Sequence, residues 1–228
     1  MFSARCGRKT VTKLCLTTIK KMSVLKNIIT VQHPESIHHT NGMIGSWTDW
    51  ELSEKGIEQA ENIACNLQLE IKSSAFSLFA SPLKRARQTA EIIGEKLDIQ
   101  PRITDALKER SLGKANGKSV QWLKENIENE ERTIYDKCFG DAESRYDVWQ
   151  RLLPFYNEII SNDDENIIIV SHGDTLSIFN AMWLGLEAEI LNRIDLYGVS
   201  GGVSFLHLTS TGKRVIKRLS DTSYVKSW

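Results

Sequence analysis

Two stretches of the chain are nearly alike, NIITVQHPES at positions 27–36 and NIIIVSHGDT at positions 166–175. Each begins with asparagine, continues through a short run of apolar residues, and reaches a histidine that is followed two residues later by an acid. Short, continuous apolar runs are typical of strands buried on both faces of a parallel sheet. We therefore predict two central strands, with His33 and His172 at their carboxyl ends.

The position of these histidines suggests a shared site. Ligands of open α/β sheets bind beyond the carboxyl ends of the strands, so two parallel strands would bring His33 and His172 into one crevice. Two adjacent imidazoles can serve as nucleophile and electrostatic partner, or as ligands of a metal ion. The two histidines alone leave both interpretations open.

The remaining pattern alternates between strands and helices. FSLFA at 76–80 is a third strand candidate, and helices are predicted from about Ser53, from Pro82, over about 142–161 with a kink at Pro154, and over about 174–185. RIDLYGVS, GGVSFLHLTS and GKRVIKRLS are predicted to be further strands near the end of the chain. This alternation predicts an α/β fold, a three-layer α/β/α sandwich around a mostly parallel central sheet.

The domain organisation follows from shifts in composition. The first 21 residues contain six basic side chains and no acidic one. This composition fits an organelle transit peptide, and equally a disordered tail or an over-long start before Met22. We predict a basic, disordered extension over residues 1–25 and a single domain over residues 26–228, with a small helical insertion at about 112–141 that could act as a lid.

Composition also limits the partners. The chain has 29 basic and 29 acidic side chains, so no net charge is available to hold nucleic acid or an anionic membrane. The leader contains no apolar run long enough for a signal peptide or a membrane span. The four cysteines show no CxxC pair, which suits a reducing compartment, and we expect the cytoplasm.

A third segment points to phosphate. SPLKRARQTA at 81–90 places Arg85 and Arg87 at the start of a helix that directly follows the third strand. A guanidinium group is a planar fork that matches phosphate oxygens, and the amino end of a helix adds partial positive charge. An arginine on such a helix is often only a solvated surface residue, but beside two strand-end histidines it favours a phosphate site.

These motifs resemble those of the histidine phosphatase superfamily, the phosphoglycerate mutase-like family. The resemblance extends from Lys26 to about Leu208 and rests on QHPES, GSWTDWELSEKGIEQA, FASPLKRARQTAEII, LKERSLG and VSHGDT, in the family's order and spacing. It implies the phosphoglycerate mutase-like form of the α/β/α sandwich. It also implies a small phosphorylated substrate and a reaction that needs neither a cofactor nor a metal ion.

The resemblance assigns roles to individual residues. His33 matches the histidine that attacks phosphorus and is transiently phosphorylated, and Glu109 matches the acid that protonates the departing oxygen. Arg85 and His172 match the pair that binds and stabilises the phosphoryl charge. Gln32, His39 and Asn41 fall where the family places further residues of the phosphate pocket. The implied activity is hydrolysis of a phosphomonoester through a phosphohistidine.

One position departs from the family pattern. Where the family has Arg-His-Gly, this chain has Gln32-His33-Pro34. Loss of one donor to a transition state typically costs about 2.7–4 kcal/mol, on the order of 10²–10³ in rate. Three functions therefore stay open: a phosphatase of reduced activity in which His38 or His39 supplies the missing donor, a pseudophosphatase that binds a phosphorylated ligand or protein, and a mutase-type phosphotransferase. The modest insertion after Glu109 favours a phosphatase over a mutase.

Other motifs have plainer interpretations. GKANGKSV at 113–120 has the wrong spacing for a phosphate-binding P-loop. His33, His38, His39 and His172 could in principle bind zinc, but the arginine helix argues against it. Trp47 and Trp50 are expected to pack their loop against the first helix or to stack on a substrate. Trp122 and Tyr135 either shape substrate choice or form the core of the insertion, and His207 is expected to be structural.

Overall fold

The computed structural model describes residues 25–71 and 75–226. Apart from Leu25, the predicted N-terminal extension lies outside these residues. Six strands form one sheet in the order β3-β2-β4-β1-β5-β6. The strands are β1 Lys26–Gln32, β2 Ser77–Ala80, β3 Pro101–Ile103, β4 Asn166–Ser171, β5 Val203–Leu208 and β6 Arg214–Asp221. The helices are α1 Glu54–Glu70, α2 Lys84–Leu97, α3 Val120–Asn126, α4 Arg145–Ser161 and α5 Gly173–Trp183.

The two similar stretches of sequence form neighbouring parallel strands in direct register. Asn27 of β1 pairs with Asn166 of β4, and the pairing continues without a slip to Gln32 and Ser171. The Asn27 Nδ2 atom also donates a hydrogen bond to Asn166 Oδ1 at 2.9 Å. Since the strands end together, the residues that follow them, His33 and His172, are placed side by side.

Helices cover both faces of the sheet. Ile28 of β1 and Ile167 of β4 face a core built with α4 and α5. Ile29 and Ile168, the next residue of each strand, face a second core built with α1 and α2. Successive side chains of a strand point to opposite faces, so a strand buried on both faces must be apolar throughout. The predicted three-layer α/β/α sandwich is confirmed, with β5 and β6 as an antiparallel edge.

Local capping sets where the predicted helices begin. Ser53 caps α1 by accepting a hydrogen bond from the Gly56 backbone, as its position suggested. The third predicted helix begins at Arg145 instead of 142, because Ser144 and Asp147 form a reciprocal capping box that fixes the first turn. The second begins at Lys84, two residues after Pro82.

The segment RIDLYGVS, residues 193–200, was predicted to be a strand, and this prediction is wrong. The structure has no strand there, and β5 begins only at Val203. Gly201, whose φ is +77°, donates its backbone N–H to Gln32 O at 3.2 Å. The chain therefore crosses the end of β1 as a loop, which places Tyr197 beside the strand-end histidines.

The insertion has a small core of its own. Phe139, Cys138 and Ala115 are buried together with Ile44, and Trp122 packs against them. Two backbone hydrogen bonds tie this unit to the loop that follows His39, from Ile44 N to Lys118 O at 3.0 Å and from Val120 N to Gly42 O at 2.8 Å. Of the helices in residues 25–71 and 75–226, none is long and apolar enough to cross a membrane.

Candidate active site

His33 leaves β1 as a buried imidazole whose tautomer is set by its neighbours. Its Nδ1 atom lies 2.9 Å from the Pro34 carbonyl oxygen, which can only accept, so Nδ1 carries the proton. Its Nε2 atom accepts a hydrogen bond from Arg85 Nε at 3.1 Å. Burial, followed by the charge of Arg85, holds the pKa of His33 well below its ordinary value. His33 is therefore a neutral imidazole with a free electron pair on Nε2, the form that can act as a nucleophile.

Arg85 is held in place by two backbone carbonyl groups. It is buried at the start of α2, and its two terminal nitrogens donate to Thr48 O at 2.9 Å and Ser46 O at 2.8 Å. Its Nε–H donates to His33, so these three bonds use only part of the five N–H donors of the guanidinium group. Burial lowers the pKa of Arg85 to about 10, so it stays charged at neutral pH. A fixed cation thus faces the nucleophile.

His172 lies beside His33, with ring centroids 5.1 Å apart. It is fully buried between β4 and α5, and its Nε2 atom is 2.7 Å from the Ser81 hydroxyl. Its Nδ1 atom is buried without a hydrogen-bond partner in the described part of the chain. Burial and then Arg85 hold the pKa of His172 well below its ordinary value. A buried polar atom without a partner is costly, so an incoming polar group would bind there, and it would be an acceptor in the tautomer that carries the proton on Nδ1.

Glu109 places a carboxyl group in the same cavity that His33 and Arg85 line. Its Oε1 atom accepts a hydrogen bond from the Arg110 backbone at 2.9 Å. Burial, and then the negative charge of Asp174, raises the pKa of Glu109 above its ordinary value. A carboxyl group with a raised pKa retains its proton closer to neutral pH, as a general acid requires.

The loop after β1 adds two more histidines. The ring centroids of His39 and His38 lie 5.7 Å and 6.0 Å from that of His33. His39 Nδ1 accepts a hydrogen bond from the Ser36 backbone N–H at 3.0 Å, so neutral His39 carries its proton on Nε2. Burial lowers the pKa of His38 to about 3 and also lowers that of His39. Both line the cavity as neutral imidazoles.

The remaining predicted residues have different positions. Gln32 lines the cavity, and its buried Oε1 atom has no hydrogen-bond partner among residues 25–71 and 75–226. Asn41 is exposed outside the cavity wall, where its side chain accepts from the Met43 backbone at 2.9 Å. Trp47 and Trp50 also lie outside that wall and donate to backbone carbonyls of Glu109 and Ile44.

The structure adds cavity residues that the sequence did not indicate. The cavity has a volume of about 460 Å³. Its apolar residues come from the loop after His39 and from the insertion, and Tyr197 comes from the 193–200 loop. The apolar set is Met43, Ile44, Leu112, Val120 and Leu123. Arg110 lines the cavity too, paired with Asp174 at 2.8 Å and with Glu131. Spacing gave no signal for these residues, because loops and an insertion bring them together.

The histidine cluster does not form a metal site in this geometry. Among the residues that the structure describes, no group of three or more His, Cys, Asp or Glu side chains is arranged to hold a metal ion. His207, also considered at the sequence level, lies in β5 and pairs with Asn27 Oδ1 at 2.8 Å.

Two curated relatives match most of the chain. A 2,3-bisphosphoglycerate-dependent phosphoglycerate mutase of Beijerinckia indica is 29% identical over 212 residues, which cover 88% of this chain and 95% of the relative. The phosphoglycerate mutase of Schizosaccharomyces pombe is 28% identical over 207 residues, 85% of this chain and 95% of that protein.

Solved structures show the same fold. A mycobacterial glucosyl-3-phosphoglycerate phosphatase superposes with a TM-score of 0.73 at 20% identity, over 86% of this chain and 99% of that one. A phosphoserine phosphatase of Entamoeba histolytica, solved as a mutant with phosphoserine, gives 0.67 at 23% identity, over 87% and 98%. The predicted phosphoglycerate mutase-like fold is confirmed.

The family assignment rests on a match over most of the domain. The sequence profile of the histidine phosphatase superfamily (branch 1) matches residues 28–222, a span from β1 to the end of β6 that contains both strand-end histidines, Arg85 and Glu109. The matching family is one of phosphatases, and the curated relatives quoted above are phosphoglycerate mutases, which confirms the prediction of a phosphatase- or mutase-type enzyme. The chain belongs to the histidine phosphatase superfamily, branch 1.

Proposed function

We propose that the protein hydrolyses phosphomonoesters through a phosphorylated His33. The observation that carries this proposal is the state of His33 itself. Its Nδ1–H donates to Pro34 O, and its unprotonated Nε2 accepts a hydrogen bond from the guanidinium group of Arg85. The substrate would be a small phosphorylated molecule. We also propose a reducing compartment, the cytoplasm, on the ground that Cys65 and Cys138 are free thiols.

In the first step, His33 Nε2 attacks phosphorus and the bond from phosphorus to the ester oxygen breaks. The Arg85 Nε–H, which donates to His33 Nε2 before the reaction, then donates to a phosphoryl oxygen instead. His172 donates to the same phosphoryl group. Together they stabilise the negative charge distributed over its oxygens in the transition state. Glu109 gives its proton to the departing alkoxide, which leaves as a neutral alcohol.

In the second step, water attacks the phosphorus atom of phospho-His33. Glu109, now a carboxylate, accepts the proton of this water as the bond from nitrogen to phosphorus breaks. Inorganic phosphate forms, and His33 regains its electron pair on Nε2. The Pro34 carbonyl holds the Nδ1 proton throughout, so the ring does not need to exchange tautomers between the two steps.

A donor to replace the arginine before the nucleophile is available in His39. Its neutral ring keeps the Nε2 proton and lies nearly parallel to His33, with an interplanar angle of 14°. We assign to His39, together with the amide of Gln32, the phosphoryl contacts that an arginine at position 32 would make. Neutral donors are weaker than a charged fork, so the activity would be reduced but present.

The test is phosphate release from small phosphomonoesters in a chelated buffer, combined with detection of acid-labile phosphohistidine after rapid quenching. We expect steady release and a phosphorylated form in the native protein, and neither in His33→Ala. His207→Ala is the matched control, because His207 is a histidine of the same sheet outside the cavity. Native protein without release or phosphohistidine, but with affinity for phosphate, would identify a pseudophosphatase.

A mutase is the second candidate, because the curated relatives quoted above are phosphoglycerate mutases. A mutase must return the phosphoryl group of phosphohistidine to a second position of its substrate. Interconversion of 2- and 3-phosphoglycerate without net phosphate release would therefore identify a mutase and not a phosphatase.

A further inference from the structure

The cavity beyond the phosphoryl group has walls of unequal polarity. One wall is apolar and consists of Met43, Ile44, Leu112, Val120 and Leu123. Val120 is 40% exposed although it is apolar. A cavity of about 460 Å³ lies within the roughly 300–1,000 Å³ of small-molecule sites, so it holds an alcohol group in addition to a phosphoryl group.

The apolar wall is fixed by the backbone and does not depend on side-chain packing alone. Met43 forms an isolated antiparallel bridge with Ser119, and Val120 N donates to Gly42 O at 2.8 Å. Leu123 follows one turn later on α3 and packs against the core of the insertion. The insertion and the loop after His39 therefore present these side chains together.

The cations of the cavity are already occupied. Of the described residues that line it, only Arg85 and Arg110 carry a fixed positive charge. Arg85 contacts the nucleophile, and Arg110 is bound by two carboxylates, Asp174 and Glu131. A second anionic group on a substrate would meet the carboxylate of Asp174 without an unpaired cation to compensate it, which is costly in a partly desolvated site.

Two lysines of the insertion have partners outside the cavity. Lys114 pairs with Glu128 and lies 4.8 Å from the ring centre of Phe139. Lys118 lies 5.7 Å from the ring centre of Trp122. Neither lines the cavity. The wall opposite the phosphoryl pocket thus offers apolar contact and no charge.

We propose that this site is selective for phosphomonoesters of uncharged, apolar alcohols and discriminates against phosphorylated carboxylic acids. The proposal rests on the function proposed above, which it makes specific. The apolar wall binds the alcohol, and the absence of an unpaired cation there excludes a second negative charge. Phosphoglycerates, which carry a carboxylate close to the ester, belong to the excluded class.

A series of straight-chain alkyl phosphates tests the apolar contact, because their leaving groups are nearly equal in acidity and differ in length. We expect kcat/KM to rise by up to about fourfold per methylene until the wall is covered. The effect of a second negative charge is tested with two esters of nearly equal shape, 4-methylpentyl phosphate, whose alcohol part is uncharged, and 4-phosphooxybutanoate, which carries a carboxylate. We expect at least a tenfold preference for the uncharged ester.

Val120→Lys places a cation on the apolar wall at a partly exposed position, so the fold is not at risk. We expect it to lower kcat/KM for 4-methylpentyl phosphate and to raise it for 4-phosphooxybutanoate. Ile127→Lys is the matched control, since Ile127 lies at the other end of α3, is 48% exposed and does not line the cavity. It should leave both values unchanged.

Calorimetric titration with alkyl phosphonates, which cannot be hydrolysed, separates this proposal from the function on which it rests. Phosphate release with a preference for 4-phosphooxybutanoate, or with no dependence on chain length, would overturn the selectivity and leave the phosphatase intact. No release from any ester, with phosphonate affinity that still rises with chain length, would overturn the phosphatase and leave the selectivity intact.

Discussion

Gln32 holds the position before the nucleophile with an amide whose Oε1 atom is buried without a hydrogen-bond partner in residues 25–71 and 75–226. We predict that Gln32→Arg raises kcat/KM by about 10²–10³, because it adds a charged, two-pronged donor to the transferring phosphoryl group. Gln32→Met is the control, since it keeps the length without the donor and should lower activity. An arginine variant no faster than the native protein would mean that His39 already makes these contacts.

Asp174 controls the proton on Glu109. The carboxylate of Asp174 is the second cause, after burial, of the raised pKa of Glu109, and it neutralises Arg110 at 2.8 Å. Asp174→Asn removes a negative charge and leaves Arg110 with less compensation, and both changes lower the pKa of Glu109. Since Glu109 must be protonated to assist an alkyl leaving group, we predict that the alkaline limb of the kcat/KM profile moves to lower pH.

The dependence of kcat/KM on pH is measured with an alkyl phosphate and with an aryl phosphate. The alkoxide that leaves from the alkyl ester needs a proton from Glu109, whereas the more acidic aryl leaving group needs it less. Glu131→Gln is the comparison, because it also leaves Arg110 with less compensation but removes no charge that itself shifts the pKa of Glu109, so its alkaline limb should move less than that of Asp174→Asn. A limb that stays in place in Asp174→Asn would show that another group sets it.

The side chains of the candidate site could be predicted from the sequence, but the groups that hold them could not. His33, Arg85, Glu109 and His172 belong to ordered motifs; the first three line one cavity, and His172 lies against His33. The carbonyl groups of Ser46, Thr48 and Pro34 orient Arg85 and His33 through the backbone. Every residue has a carbonyl group, so the sequence carries no mark of the ones that act here.

At the level of secondary-structure elements, α4 holds the loop that carries Glu109. Arg151 donates from one terminal nitrogen to the carbonyls of Asp105, Ala106 and Lys108, and from the other to Glu109 O at 3.3 Å. Its Nε atom pairs with Glu143 at 2.9 Å. One guanidinium group thus ties the segment from Asp105 to Glu109 to α4 through side-chain to backbone bonds.

We predict that Arg151→Lys lowers kcat by about 10- to 100-fold, because an ammonium group cannot reproduce the fork and Glu109 shifts from its position. The KM should change little, since Arg151 does not line the cavity. The free energy of unfolding should fall by about 1–3 kcal/mol. Arg87→Lys, at an exposed pair with Glu91, is the control and should alter neither quantity.

The elements themselves follow from periodicity wherever packing is regular. The buried strands β1 and β4 and the helices α1 and α5 lie within a few residues of their predicted bounds. The strand prediction for residues 193–200 fails because Ile194, Tyr197 and Val199 are exposed on a loop instead of being paired in the sheet. An alternating pattern cannot distinguish these two outcomes, since both place apolar and polar side chains in turn.

For the molecule as a whole, the order of the layers could be predicted from the sequence, but the apolar wall of the cavity could not. The repeated strand-and-histidine stretch determines the centre of the sheet, because two strands in register must end together. The apolar wall depends on how the insertion docks onto the loop after His39 through bonds such as Ile44 N to Lys118 O. The insertion was predicted as a segment, but spacing along the chain does not specify a docking surface.

A buried cluster of neutral histidines also determines how the whole fold responds to acid. The pKa values of His33 and His172 lie well below 6.5 in the folded protein, and that of His38 is lowered to about 3, in each case mainly through burial. The unfolded chain therefore binds more protons as the pH falls through about 6.5, and stability is lost in that direction. Each such histidine contributes about 1.4 kcal/mol per pH unit, and Glu109, whose pKa is raised, offsets part of the sum.

We predict that the free energy of unfolding falls by about 2.7–4.1 kcal/mol per unit between pH 6 and pH 5, above the range where ordinary carboxylates titrate. Urea titrations at a series of pH values in a phosphate-free buffer measure this slope. His33→Ala removes one of these three imidazoles, so its slope should be smaller by about 1.4 kcal/mol per unit. A native slope near zero, or one unchanged in His33→Ala, would mean that the folded site accepts protons, and that His33 is not the neutral nucleophile on which the proposed mechanism depends.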